Sequence, residues 1–110
     1  MAERTKIENI IDDISDIISD ILQSIQGIGF QDYRIDRKLK IYIVRKFLEI
    51  DALAKSVYEE EESAYPHVPW KELRTLIDNF VNSESGVDDN VIWDKARRVL
   101  SSIQKKLDKK

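Results

Sequence analysis

Few side chains in this chain could act on a substrate. The 110 residues contain one histidine, His67, and no cysteine. Without thiols there is no disulfide framework, no thiolate metal site and no cysteine nucleophile. His67 sits in a proline-bounded stretch, Pro66 to Pro69, with no second histidine to share a metal, and reads as an incidental surface residue. Arg74 and Asn79, five residues apart after Pro69-Trp70, could stabilise a developing anion and hold a polar group, but neither moves a proton at neutral pH. The acidic residues Asp12, Asp13, Asp16 and Asp20 are spread along a helical face, whereas an oxygen-ligand cage needs carboxylates converging with loop carbonyls. The run Glu59 to Glu62 reads as a solvated helix end. Gly27 and Gly29 lack a preceding strand and a third glycine, so they are helix punctuation, not a phosphate loop. There is no P-loop and no GxSxG, and the sequence points to no cofactor and no metal.

The elements that must carry these residues are helical. Three Gly and two Pro, with 42% hydrophobic and 35% charged residues, leave little room for strand-and-turn architecture. Apolar residues at 7, 10, 11, 14, 17, 18, 21, 22 and 25 predict a first helix over Ile7 to Gln26, with a face wide enough for a globular bundle rather than a coiled-coil seam. Gln31 to Ile35 reads as a short turn and Asp36 as the N-cap of a second helix running to Ser63. A third helix is predicted from Pro69 to Ser83 and a fourth from Asp89 to Lys106. The expectation is an all-α, up-down four-helix bundle over residues 1–110 as a single domain.

The second helix carries Leu39, Ile41, Tyr42, Ile43, Val44, Phe47, Leu48, Ile50 and Leu53, more apolar circumference than three neighbours need. A homodimer follows, with Ile43 and Phe47 of that helix and Phe80 of the third at its interface. A net charge of -3 argues against strong RNA binding and against DNA or an anionic membrane as a partner. The cations Arg97, Arg98, Lys105, Lys106, Lys109 and Lys110 complement a helix C-terminus. No run of about 18 apolar residues could span a membrane, the first residues do not read as a signal peptide, and the expected location is cytoplasmic.

One stretch is specific enough to suggest a family. Pro69-Trp70, Gly86-Val87-Asp88 and Trp93, at these mutual offsets, resemble the third helix, turn and fourth-helix start of the HepT-like toxins of the HEPN superfamily. The segment Phe47 to Val57 resembles the family's second helix, with Ala52-Leu53-Ala54 where a Gly-Glu-Ala usually stands. The resemblance implies a helical bundle, pairing of two chains, and a metal-independent RNA-cleaving site built from an Arg, a His five positions further on and a Tyr two beyond that. It places the Arg position at Ile77, the His position at Asn82 and the Tyr position at Glu84, with Asp78 a residue the family permits next to the Arg. The Tyr is the residue that a partner nucleotidyltransferase modifies in such toxin pairs. The resemblance thus implies a HepT-like scaffold of toxin-antitoxin lineage without its chemistry, associating with itself or with a minimal nucleotidyltransferase. Two alternatives stand beside it: an active metal-independent ribonuclease using the shifted residues Arg74 and Asn79, and a generic helical scaffold or adaptor.

Overall fold

A computed structural model of the chain describes residues 6–57, 59–75 and 89–108. Every element among them is helical: α1 (Lys6–Ser24), α2 (Phe30–Ile35), α3 (Arg37–Lys55), α4 (Glu59–Glu62), α5 (Trp70–Arg74), α6 (Asp89–Asp94), a π-helical turn (Lys95–Val99) and α7 (Leu100–Asp108). The architecture is all-α, and the last three elements form one continuous helical run. The third predicted helix is described only through Arg74.

The isoleucine stripe of α1 becomes the spine of the core. Ile7, Ile10, Ile11, Ile14, Ile18 and Ile21 are buried while Asp12, Asp13, Asp16 and Asp20 face solvent, the division that a 3.6-residue period dictates. Helix α1 packs on α3 and α7, and α3 on α5. Gln104 ties the run back to α1, its Nε2 donating to Ser19 Oγ at 3.0 Å while Ser15 Oγ donates to its Oε1 at 3.4 Å. Gly27 has φ +81°, the left-handed conformation that ends α1 and that a side chain would strain.

The predicted turn from Gln31 to Ile35 is instead the short helix α2. The Asp32 carboxylate accepts from the Gly29 N–H at 3.0 Å, so a local acidic side chain closes the first turn. Its aromatic residues fix it to the fourth helix: the rings of Tyr33 and Trp93 lie 5.3 Å apart, and those of Phe30 and Trp93 6.2 Å. Asp36 ends α2 and caps α3 as expected, its Oδ1 accepting from the Leu39 N–H at 3.0 Å.

Helix α3 stops at Lys55 instead of continuing to Ser63. The Ser56 hydroxyl donates to the Leu53 carbonyl at 2.6 Å, a local bond that competes with the helical ladder, and the acidic run forms the separate helix α4. Past it, the Trp70 indole N–H donates to the Tyr65 carbonyl at 3.2 Å and pins the Pro66–Pro69 turn against the core.

The inward face of α3 corrects the expected interface. Ile43 and Phe47 are completely buried in the chain's own core and offer no surface to a partner. The side chains that α2 and α3 expose are Ile35, Ile41, Tyr42 and Leu48. Phe80 lies outside the described residues. The continuous run, finally, contains one irregularity: Leu100 N–H bonds to Lys95 O across a π turn. Ala96, Leu100, Ile103 and Leu107 still reach the core.

Candidate functional site

The positions to which the resemblance assigns the family chemistry, Ile77, Asp78, Asn82 and Glu84, lie outside the described residues, as does Asn79. Arg74, the residue on which a shifted site would depend, is described, and it is already engaged. Ending α3 at Lys55 leaves the Val57 carbonyl without a following helical amide, and Arg74 Nη2 donates to it at 3.3 Å. The same nitrogen pairs with the Glu62 carboxylate of α4. Arg74 therefore stitches both sides of the α3–α4 break to α5. Its side chain is 26% exposed and that of Glu62 17%, so the pair is substantially desolvated. Glu62 is accordingly an ion-pair partner and not part of a purely solvated helix end.

A consequence is testable on stability. Arg74→Ala removes the donor for the Val57 carbonyl and leaves Glu62 unpaired, which should cost about 1–3 kcal/mol. For a domain of this size each kcal/mol lowers the thermal midpoint by roughly 4–8 °C. Thermal unfolding followed by circular dichroism checks it, and an unchanged midpoint would show that the tether contributes nothing.

His67 is held elsewhere. Its ring lies edge-on to Tyr65, with centroids 6.4 Å apart, over a depression lined by Glu8, Ile11, Asp12, Ala64 and Leu107. Arg74 and His67, the two groups that could in principle supply charge stabilisation and proton transfer, are thus committed to separate local contacts. Among the described residues no three His, Asp or Glu side chains converge in a way that could hold a metal.

A further polar group went unnoticed in the sequence. Tyr33, in the segment expected to be a turn, is fully buried, and its hydroxyl has no hydrogen-bond partner among the described residues. Its spacing of three from Phe30, between Gly29 and Asp36, was the available sign of a helical face. Burial pushes the Tyr33 phenol well above the ordinary tyrosine range, and the nearby carboxylate of Asp89 adds to the rise. Asp89 in turn pairs with Lys40 Nζ at 2.9 Å.

The sign of the resulting pH dependence is fixed. The folded state keeps the phenol protonated while the unfolded chain ionises near pH 10, so stability is intact below that pH and falls above it by about 1.4 kcal/mol per pH unit at most. Urea unfolding at about pH 9 and about pH 11 should show a smaller alkaline loss for Tyr33→Phe than for the wild type; equal losses would exclude Tyr33 as the cause.

Comparison with known proteins adds the lineage. A protein of Thermococcus cleftensis provisionally named ribonuclease HepT is 24% identical over 102 residues, covering 93% of each chain. A Methanocaldococcus jannaschii protein provisionally named an RNase is 25% identical over 103 residues, covering 94% of this chain and 85% of its own. A second from that organism, also provisionally named an RNase, reaches 28% over 82 residues, or 74% of this chain and 68% of its own. No family model and no solved structure matches the chain. Similarity over most of the chain, on an all-α architecture with the Pro-Trp turn pinned as described, supports a HepT-like protein of the HEPN type. Within that class the relatives it resembles are named as ribonucleases, one of them HepT, at 24–28% identity over most of the chain. No helix among the described residues is long and apolar enough to cross a membrane.

Proposed function

We propose that this chain is a HepT-like protein of toxin-antitoxin lineage that no longer cleaves RNA and acts by association, with itself or with a minimal nucleotidyltransferase, in the cytoplasm. The observation that carries the reading is the content of the site positions. Counted from Pro69-Trp70, they hold Ile77 for the Arg, Asn82 for the His and Glu84 for the Tyr. Ile77 has no charge to offer a phosphate, and the Asn82 amide does not titrate. Replacing Tyr with Glu84 also removes the hydroxyl that a nucleotidyltransferase partner would modify, so such a partner would be bound rather than turned over at that position.

The tethering of Arg74 supports the same reading against a shifted active site. A guanidinium held by Glu62 and by the Val57 carbonyl would have to abandon both to meet a phosphate. Association is supported by the outward face of α3. Ile41 is 45% exposed and Leu48 46%, two turns apart on one side of the helix, and Ile35 just before it is 78% exposed. The test is the mass in solution: light scattering at micromolar concentration should return twice 12.9 kDa. A monomer's mass would refute self-association.

A further inference from the structure

A cleft of about 480 Å³ opens where α2, α3 and the start of α6 meet, lined by Tyr33, Lys40, Ile41, Val44, Arg45, Asp89 and Ile92. None of these is a family site position. The size is that of a small-molecule site, and its composition follows the pattern of one, with apolar walls and a few polar groups. Ile41, Val44 and Ile92 supply the walls. The polar groups are unevenly satisfied. Asp89 is neutralised by Lys40 at 2.9 Å, and the same ammonium also donates to the Arg34 carbonyl at 3.3 Å. Arg45 is exposed at the rim, where its guanidinium has no ion pair or hydrogen bond with the described residues and is open to an incoming group. The Tyr33 hydroxyl, fully buried beside Asp89, lacks a partner as well. A buried hydroxyl left without a bond is costly, and such groups in folded proteins are rare enough to require an explanation.

We propose that this cleft binds a small amphipathic monoanion. Its apolar body lies on Ile41, Val44 and Ile92, its acidic group meets Arg45 with Lys40 behind it, and an acceptor atom receives a hydrogen bond from the Tyr33 hydroxyl. The charge count selects the class. Two cations and one carboxylate leave a net single positive charge in the cleft, so one negative charge on the ligand is matched. A polyanion such as RNA would meet too little positive charge and the acidic balance of the whole chain. The aliphatic walls require an apolar body, which excludes inorganic phosphate or sulfate as the intended occupant. The proposal does not depend on whether the protein cleaves RNA; it requires that a second copy leave Ile41, which the cleft shares with the proposed association face, uncovered.

The experiment uses 8-anilinonaphthalene-1-sulfonate, an aromatic monoanion whose fluorescence rises in apolar surroundings, titrated into the full chain at neutral pH. Saturable binding of one probe per chain is expected, with a Kd on the order of tens of micromolar for a ligand of this size. Arg45→Gln should weaken it about tenfold or more, the loss of one charge-assisted contact. Tyr33→Phe, which keeps the ring and its packing, should weaken it about threefold to tenfold. Near-ultraviolet circular dichroism and unchanged thermal midpoints establish that both variants remain folded. Displacement of the probe by octanoate assigns an aliphatic acid, and displacement by 1-naphthoate but not octanoate assigns an aromatic one. Failure of both to compete, unsaturable binding, or binding untouched by Arg45→Gln would overturn the proposal. So would a probe signal per chain that falls as protein concentration rises, which would make a second copy the occupant of the cleft.

Discussion

Purified wild-type protein, incubated with RNA at neutral pH with or without divalent metal, is expected to give no cleavage above background. Cleavage of a ribose phosphodiester by attack of the 2′-hydroxyl needs a base to take that proton and a cation to meet the charge building on the phosphate. Removing a general base costs roughly 10²- to 10⁴-fold, and removing a charge stabiliser roughly 10²- to 10³-fold. Groups that act as a unit do not lose rate additively, but even the larger single loss leaves little to detect. The positions that the resemblance assigns carry both losses, in Asn82 and Ile77, together with two carboxylates, Asp78 and Glu84, where a phosphate would gain from a cation. The triple change Ile77→Arg, Asn82→His and Glu84→Tyr is expected to return measurable, metal-independent cleavage. Activity of the wild type that survives rigorous repurification would overturn the inactive reading. Assigning it to Arg74 then needs care, because Arg74→Ala also loosens the α3–α4–α5 junction. The comparison has to be made at a temperature where that variant is fully folded.

What the sequence made legible, and what it hid, divides along physical lines. Periodic elements came through: the isoleucine stripe of α1 and the apolar set at Ile92, Trp93, Ala96, Val99, Leu100, Ile103 and Leu107 are facts of spacing, and the structure buries them except Ile17 and Val99, which pack half-buried against the core. Asp36 was legible as a cap because capping is a local bond. The end of α3 was not, since it depends on Ser56 turning back to Leu53 and on Arg74, 17 residues beyond Val57, taking the freed carbonyl. Helix α2 was missed for a similar reason. Its six residues offer a single helical spacing, Phe30 to Tyr33, too short to establish a period, and it is held by Tyr33 and Phe30 packing at a tilt on Trp93, some 60 residues along the chain. The cleft beside Tyr33 was invisible because its walls come from three elements. The family resemblance is a different case: its site positions are offsets counted from Pro69-Trp70, independent of packing, and they lie outside the described residues.

The second large effect separates two neighbouring residues that the sequence could not tell apart. Phe47 and Leu48 are both apolar members of a helix that looks apolar all round, yet α3 turns Phe47 fully into the core and leaves Leu48 46% exposed. Phe47→Ala should therefore act on folding, because it deletes a buried ring and leaves a cavity worth about 3–5 kcal/mol. The thermal midpoint should fall by at least about 12 °C. Leu48→Glu should act on association. On a solvated helix position a glutamate changes the fold's stability by about 0.5 kcal/mol or less, but in an apolar contact with a second chain it is an unpaired charge. Leu48 is preferable to its neighbours for this purpose. Tyr42 has Lys46 Nζ over its ring at 5.4 Å, and Ile41 borders the cleft beside Tyr33, so changing either would mix effects. The expected pattern is a double dissociation. Phe47→Ala melts early but, held well below its midpoint, still scatters light as a dimer, while Leu48→Glu melts near the wild type and scatters as a monomer. A Phe47→Ala protein of unchanged midpoint that is monomeric would return the interface to the inward face of α3. A Leu48→Glu protein that stays dimeric would place the contact away from Leu48.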